Sequence, residues 1–169
     1  MHAVPASDRD LEARELMSLV SALAADSPSW EPHVRPDAER RHCHPLLRSP
    51  FVTVWLLCWM PGQDTGFHDH DGAAGAVAVL QGSVLEERLR VGGPPIEREH
   101  AAGSVFDFAS SVIHRVGHAT GEPAVTIHAY SPALRRMGAY AIDASGELLR
   151  RALDEDVELG TERVLSAVS

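Results

Sequence analysis

The sequence has no lysine and no asparagine, although it carries 15 arginines among 169 residues. Both missing residues are encoded by adenine-rich codons, so their absence reflects genome composition rather than function. It still has one chemical consequence, because no lysine amine is available as a base. Cysteine is scarce too. Cys43 and Cys58 cannot make a disulfide framework, which fits a reducing cytoplasm. Positive charge is in deficit: a net charge of −9 gives no electrostatic support to a nucleic-acid or anionic-membrane partner. No apolar run approaches the length of a bilayer span, and "MHAVPASDRDLEARELM" lacks the apolar core of a signal peptide. The apolar share of 44% and charged share of 23% are those of an ordinary globular protein. One domain spanning 1–169 is expected, long enough to bury a core without staples.

Histidine, by contrast, is abundant. There are ten, and imidazole is the commonest transition-metal ligand. In "GFHDHDGAAGAVAVLQG" (66–82), His68 and His70 stand one residue apart. Residues i and i+2 of a strand share a face, so both rings aim into one space. Asp69 and Asp71 should then point the other way. Two imidazoles make half a metal site, and a third must come from another strand. His114 and His118 in "VIHRVGH" and His128 in "VTIHAYS" are the candidates, and spacing alone leaves all three open.

"SDRDLEARELMSLVSALAA" (7–25) opens with a capping-box-like Ser7…Asp10, and leucines then recur at helical spacing. This predicts a helical segment within 1–30 that packs outside the rest. A polar, proline-bearing stretch follows, in which "ERRHCH" reads as irregular. Between about residues 45 and 145, short β-type runs alternate with turn signals: "FVTVWLLCWM", "AGAVAVLQG", "SVLEERLRV", "SVFDF", "SVIHRVGH", "AVTIHAYS" and "MGAYAID". The fold class is mainly β, an antiparallel barrel or sandwich. In the C-terminal extension 146–169, "GELLRRALDEDVELG" reads as a closing helix.

The run from Gly62 through His68, His70 and Gly75 to Gly82 resembles the first cupin motif, G(X)5HXH(X)3–4E(X)6G, except that Gly75 stands at the glutamate. Gly103…His114…His118 resembles the second, G(X)5PXG(X)2H(X)3N, in spacing, with Ala109, Ser111 and His118 at the proline, glycine and asparagine. A cupin-type jelly roll is what this resemblance implies. Without the glutamate, three neutral imidazoles would leave a divalent ion its full charge and several open positions. Such a site favours anionic ligands, a soft thiolate above all, and iron(II) there can also take O2.

That chemistry marks one cupin branch, and the sequence resembles the cysteine dioxygenase family of thiol dioxygenases over about residues 51–132. "LLCWMPGQDTGFHDHDG" is similar to the family's LCW…HDH segment, "IHRV" to the surroundings of its third ligand, and "TIHAYSP" to its S-x-H-x-Y-S-P segment. The resemblance implies iron(II) on His68, His70 and His114, with Thr126, His128 and Tyr130 as the hydrogen-bonded catalytic series. It further implies a small thiol and O2 as substrates and a sulfinate as product. Gly75 occupies the place of the cysteine that crosslinks to this tyrosine in animal members. The family grips the substrate carboxylate with an arginine from a strand before LCW. An ungapped comparison puts His42 there, a shift of one residue gives Arg41, and Arg48 is close. L-cysteine and 3-mercaptopropionate therefore both stand as substrates. His118 has two readings, a group supporting a ligand or a polar residue at the barrel mouth. Cys58, Trp55 and Trp59 read as core. The competing function is a non-catalytic cupin that binds or senses a metabolite through its metal. An isomerase or decarboxylase would need a carboxylate or lysine base inside the barrel.

Overall fold

A computed structural model describes residues 7–142 and 145–154. The chain begins with helix α1 (Ala13–Ala25) and two single turns of 3-10 helix at Ser27–Ser29 and Glu31–His33. Eleven strands follow among the described residues: β1 (His42–Arg48), β2 (Thr53–Trp59), β3 (His68–Asp69), β4 (Ala74–Gln81), β5 (Ser83–Arg88), β6 (Ile96–Ala101), β7 (Val105–Phe108), β8 (His114–His118), β9 (Ala124–Ser131), β10 (Arg136–Ile142) and β11 (Leu148–Asp154). They form two antiparallel sheets, ordered β1-β2-β9-β4-β7 and β11-β10-β3-β8-β5-β6. This is the mainly-β, helix-fronted architecture expected.

The period-2 alternation of the central strands decides what goes where. On β9, Val125, Ile127 and Ala129 pack with Leu16, Val20 and Leu23 of α1. The alternate residues Ala124 and Tyr130 join Leu57, Trp59, Val77 and Phe108, together with Val84 and Val116 from the other sheet. The helix thus covers the outer face of the first sheet, and the space between the sheets holds the inner core. Every residue of β9 is buried. Each fully buried aliphatic side chain on α1 contributes about 1.5–3 kcal/mol.

Four local expectations change. The helix starts later than Ser7…Asp10 suggested, with the Glu12 backbone N–H donating to the Glu15 carboxylate at 2.9 Å. "ERRHCH" is irregular only in its first half, Glu39, Arg40 and Arg41, whereas His42, Cys43 and His44 lie on β1, paired with Cys58, Leu57 and Leu56. An edge strand tolerates Pro45, and the register slips just there, between Pro45 and Leu47. β6 carries no readable alternation because only His100 on it is buried. Finally, Leu148–Asp154 is a strand pairing along the whole of β10, not the start of a closing helix. Leucine, arginine and alanine favour a helix weakly, and hairpin pairing overrides such preferences. The rest of that predicted helix lies outside the described residues. No helix among the described residues is long and apolar enough to cross a membrane.

Candidate metal centre

Three strands of the second sheet converge on one cluster. His68 pairs with His114 on β8 and with Ala139 on β10, and His70 lies one residue beyond β3. The ligand-capable atoms of His68, His70 and His114 lie within 4.8 Å of one another, and all three side chains are buried. The candidates left open by spacing are thereby separated. His118 lies about 13 Å further along its strand, where its ring donates to the Glu122 carbonyl at 3.0 Å.

Ring orientation follows from hydrogen bonds. A carbonyl only accepts, so His68 donates from Nδ1 to the Gly66 oxygen at 3.1 Å, leaving Nε2 as its lone-pair atom. His114 Nδ1 lies 2.8 Å from the Glu86 carboxylate. Burial would raise the Glu86 carboxyl, but hydrogen bonds from His114 and Arg88 hold it at about 2, so it accepts and His114 donates. Again Nε2 is free for a ligand. Neither nitrogen of His70 has a protein partner although both are buried, a costly state for polar atoms unless a ligand completes them. Burial, then the neighbouring imidazoles, push His68 and His70 well below the ordinary histidine value, so both rings stay neutral. Neutral, clustered, nitrogen-only donors suit a borderline transition ion.

Glu86 and Phe108 escaped the sequence reading. Glu86 is a carboxylate inside the barrel, yet it is engaged by His114, by Arg88 at 3.0 Å and by His100 at 3.4 Å. It orients a histidine, as carboxylates commonly do around metal ligands. Its only signal was one acidic residue at an inward position of β5. Phe108 stacks on His70, with centroids 4.6 Å apart and planes at 24°. Its ring also fills the space in front of Gly75, where an added Cβ would come within 2.2 Å of it.

From the other sheet, β9 directs Thr126, His128 and Tyr130 inwards. Thr126 Oγ1 is 2.8 Å from His128 Nε2, and the Tyr130 hydroxyl is 3.3 Å from His128 Nδ1. Trp59, read as plain core, also donates its indole N–H to Thr126 Oγ1 at 2.8 Å. Burial lowers His128 to about 3 and raises the Tyr130 phenol, so the first is neutral and the second protonated at neutral pH. The Tyr130 ring lies 5.0 Å from that of His70. A cavity of about 480 Å3 opens here, bordered by His68, His114, His128 and Tyr130.

The three residues considered for the substrate carboxylate divide by face. Arg41 lies with its guanidinium 4.8 Å over the Trp59 ring and donates to the Asp64 carbonyl at 3.1 Å. Arg48 lies 4.7 Å over Trp55, opposite Thr53, which in turn pairs with Tyr130. Both arginines border the cavity, and so does His42. His42 pairs with Cys58, a member of the outer cluster. Its ring sits 6.4 Å from His44, which stacks on His33 at 3.9 Å, so it shares the His44 face of β1 while still reaching the cavity rim. Asp69 and Asp71 face out of the barrel, as expected, onto Arg150 and Arg136.

Comparison with known proteins adds three findings. The family model for cysteine dioxygenase type I matches residues 6–143. Human cysteine dioxygenase type 1 is 26% identical over 145 residues, covering 78% of this chain and 70% of its own. The zebrafish (Danio rerio) enzyme is 24% identical over 146 residues, covering 78% and 71%. Among solved structures, a Thermus thermophilus protein superposes with a TM-score of 0.54 at 21% identity, covering 61% of this chain and 93% of its own. A Klebsiella pneumoniae protein with a double-stranded β-helix domain does so with a TM-score of 0.54 at 19% identity, covering 60% and 80%. These two likenesses concern the fold alone.

Proposed function

The chain belongs to the cysteine dioxygenase type I family, and on that premise we propose that it is an iron(II)-dependent thiol dioxygenase. A small thiol carboxylate, L-cysteine or 3-mercaptopropionate, and O2 combine to a sulfinate, with both oxygen atoms ending on sulfur. The observation that carries this reading is the buried trio His68, His70 and His114 facing a protonated tyrosine from the opposite sheet. The trio would hold the ion through three neutral nitrogens. When bound, iron(II) supplies open coordination positions and the reactivity towards O2 that side chains lack.

The chain's own residues supply positioning and proton control. Trp59 is a donor only, so it occupies one acceptor site of Thr126 Oγ1. The Thr126 hydroxyl then donates to His128 Nε2, and His128 Nδ1–H donates to the Tyr130 oxygen. This polarity leaves the Tyr130 O–H pointing its proton into the cavity, where it hydrogen-bonds the reacting atoms. Arg41, with Arg48, receives the substrate carboxylate. The aromatic faces of Trp59 and Trp55 fix the two guanidinium planes, as bidentate recognition demands.

Oxygen uptake by the iron-loaded protein with a panel of small thiols tests the proposal. Uptake matched by sulfinate formation is expected, and His70→Ala should abolish both metal binding and turnover. Full iron occupancy in His70→Ala would overturn the ligand assignment. Wild-type protein that holds iron yet consumes no oxygen with any thiol would overturn the activity.

A further inference from the structure

The two residues of β3 are too few to hold two ligands in fixed geometry by ladder hydrogen bonds alone. What braces this segment lies on its outer side. Asp69 sits between His68 and His70 in sequence, and its carboxylate accepts four hydrogen bonds. Arg150 contributes two, Nε to Oδ2 at 2.7 Å and Nη2 to Oδ1 at 2.8 Å. The Tyr140 hydroxyl gives a third at 2.6 Å and the Asp71 backbone N–H a fourth at 2.9 Å. Arg150 also reaches Asp71 Oδ1 at 3.2 Å, and Arg136 reaches Oδ2 at 3.1 Å. One guanidinium therefore grips the carboxylates on both sides of His70.

The reach is long, because Arg150 is on β11 and the sheet order is β11-β10-β3. Its side chain must cross β10, and it crosses at Gly138, which pairs with Asp69 on one side and Ala152 on the other. A Cβ at Gly138 would come within 2.2 Å of Arg150 Nε and 2.6 Å of Asp69 Oδ2. The missing side chain is the opening through which the clamp passes. β11 lies beyond the residues that the family model matches, so the matched region alone does not supply it.

We propose that Arg150 is a positioning residue for the metal centre, holding the His68–His70 segment in ligand geometry from outside the barrel through Asp69, by way of the gap at Gly138. The inference rests on the three-histidine metal reading and is indifferent to which thiol is the substrate.

The test is the rate at which iron(II)-loaded protein loses its ion to excess chelator, read beside the thermal midpoint of the metal-free protein. Arg150→Met should speed loss by about tenfold, the low end for residues that orient metal ligands, with the metal-free midpoint little changed because the pair is partly solvated. Arg150→Lys should recover only part of the retention, since an ammonium cannot grip both carboxylate oxygens in plane. Gly138→Ala should match Arg150→Met, and the double variant should be no worse than either single one. A loss rate within twofold of wild type in Arg150→Met would overturn the inference. So would faster loss accompanied by an equal collapse of the metal-free midpoint in Arg150→Met and Arg150→Lys alike. If Gly138→Ala does not fold, the two Arg150 variants decide alone. A wild-type protein that retains no ion would overturn the metal reading and this inference with it.

Discussion

Gly75 stands at the glutamate position of the first cupin motif that this stretch resembles, and the structure turns that exchange into a measurable penalty. Gly75 is flanked on β4 by Tyr130 of β9 and Phe108 of β7. A Cβ added there would lie 2.2 Å from Phe108 Cζ and 2.6 Å from Cε2. The phenyl ring cannot retreat cheaply, being packed 4.6 Å from both His70 and His114. Overpacking of a core costs about 1–3 kcal/mol, and overlap this deep places Gly75→Ala at about 2–3 kcal/mol. In a chain of this size that lowers the thermal midpoint by roughly 4–12 °C. Thermal unfolding of metal-free Gly75→Ala, Phe108→Ala and the double variant measures it. Phe108→Ala alone leaves a cavity and is destabilised too, by about 3–5 kcal/mol. The double variant should be more stable than the sum predicts, by about 0.5–3 kcal/mol, because each change relieves the other. A Gly75→Ala midpoint within a degree of wild type, or strict additivity, would refute the account of why this position is glycine.

Tyr130→Phe should keep metal and fold while lowering turnover about 10–100-fold, as suits one supporting acid–base or hydrogen-bonding group; an unchanged rate with the best thiol removes the tyrosine from the mechanism. Thr126→Val should resemble it, since it frees the His128 proton polarity, and the two together should lose less than the product. Glu86→Gln should weaken iron binding about 10–100-fold, measured by competition with a chelator, and unaltered affinity would show that His114 needs no orienting carboxylate. Acid should destabilise the metal-free protein in a defined window. His68, His70 and His128 have folded values below their unfolded value of about 6.5, so below pH 6.5 the unfolded chain binds protons that the folded one refuses. Stability therefore falls with pH, by about 1 kcal/mol per histidine between pH 6.5 and 5.5, or about 3 kcal/mol for the three; a flat unfolding midpoint across that interval would contradict it.

The features legible in the sequence were those written at short range. His-x-His within its glycine frame, and the alternation of 126, 128 and 130, encode shared faces directly, and the structure brings those side chains together. The features that escaped join residues far apart. Trp59 and Thr126 are 67 positions apart, and Asp69 and Arg150 are 81 apart. Glu86 and Glu87 look alike on paper, and only pairing tells that the first turns in. Edge strands β1, β6 and β11 were hard for another reason: one neighbour and one solvated side impose little alternation. The candidates for the substrate carboxylate stayed open in the sequence because a one-residue slip exchanges faces, and only pairing shows that His42 shares its face of the sheet with Cys58.

The division of labour between the sheets has a consequence for how the molecule comes apart. His68 lies on the two-residue β3, His70 just beyond it and His114 on neighbouring β8 of the same sheet, whereas the threonine, histidine and tyrosine lie on β9, covered on both faces. Backbone amides of β9 should be the last to exchange with solvent deuterium, and those around His68 among the early ones. A partial opening would then shed the ion while Thr126, His128 and Tyr130 stay in register. Such a species refolds onto a finished half of its site, so recovery after metal loss needs only the second sheet to close again over an ordered template.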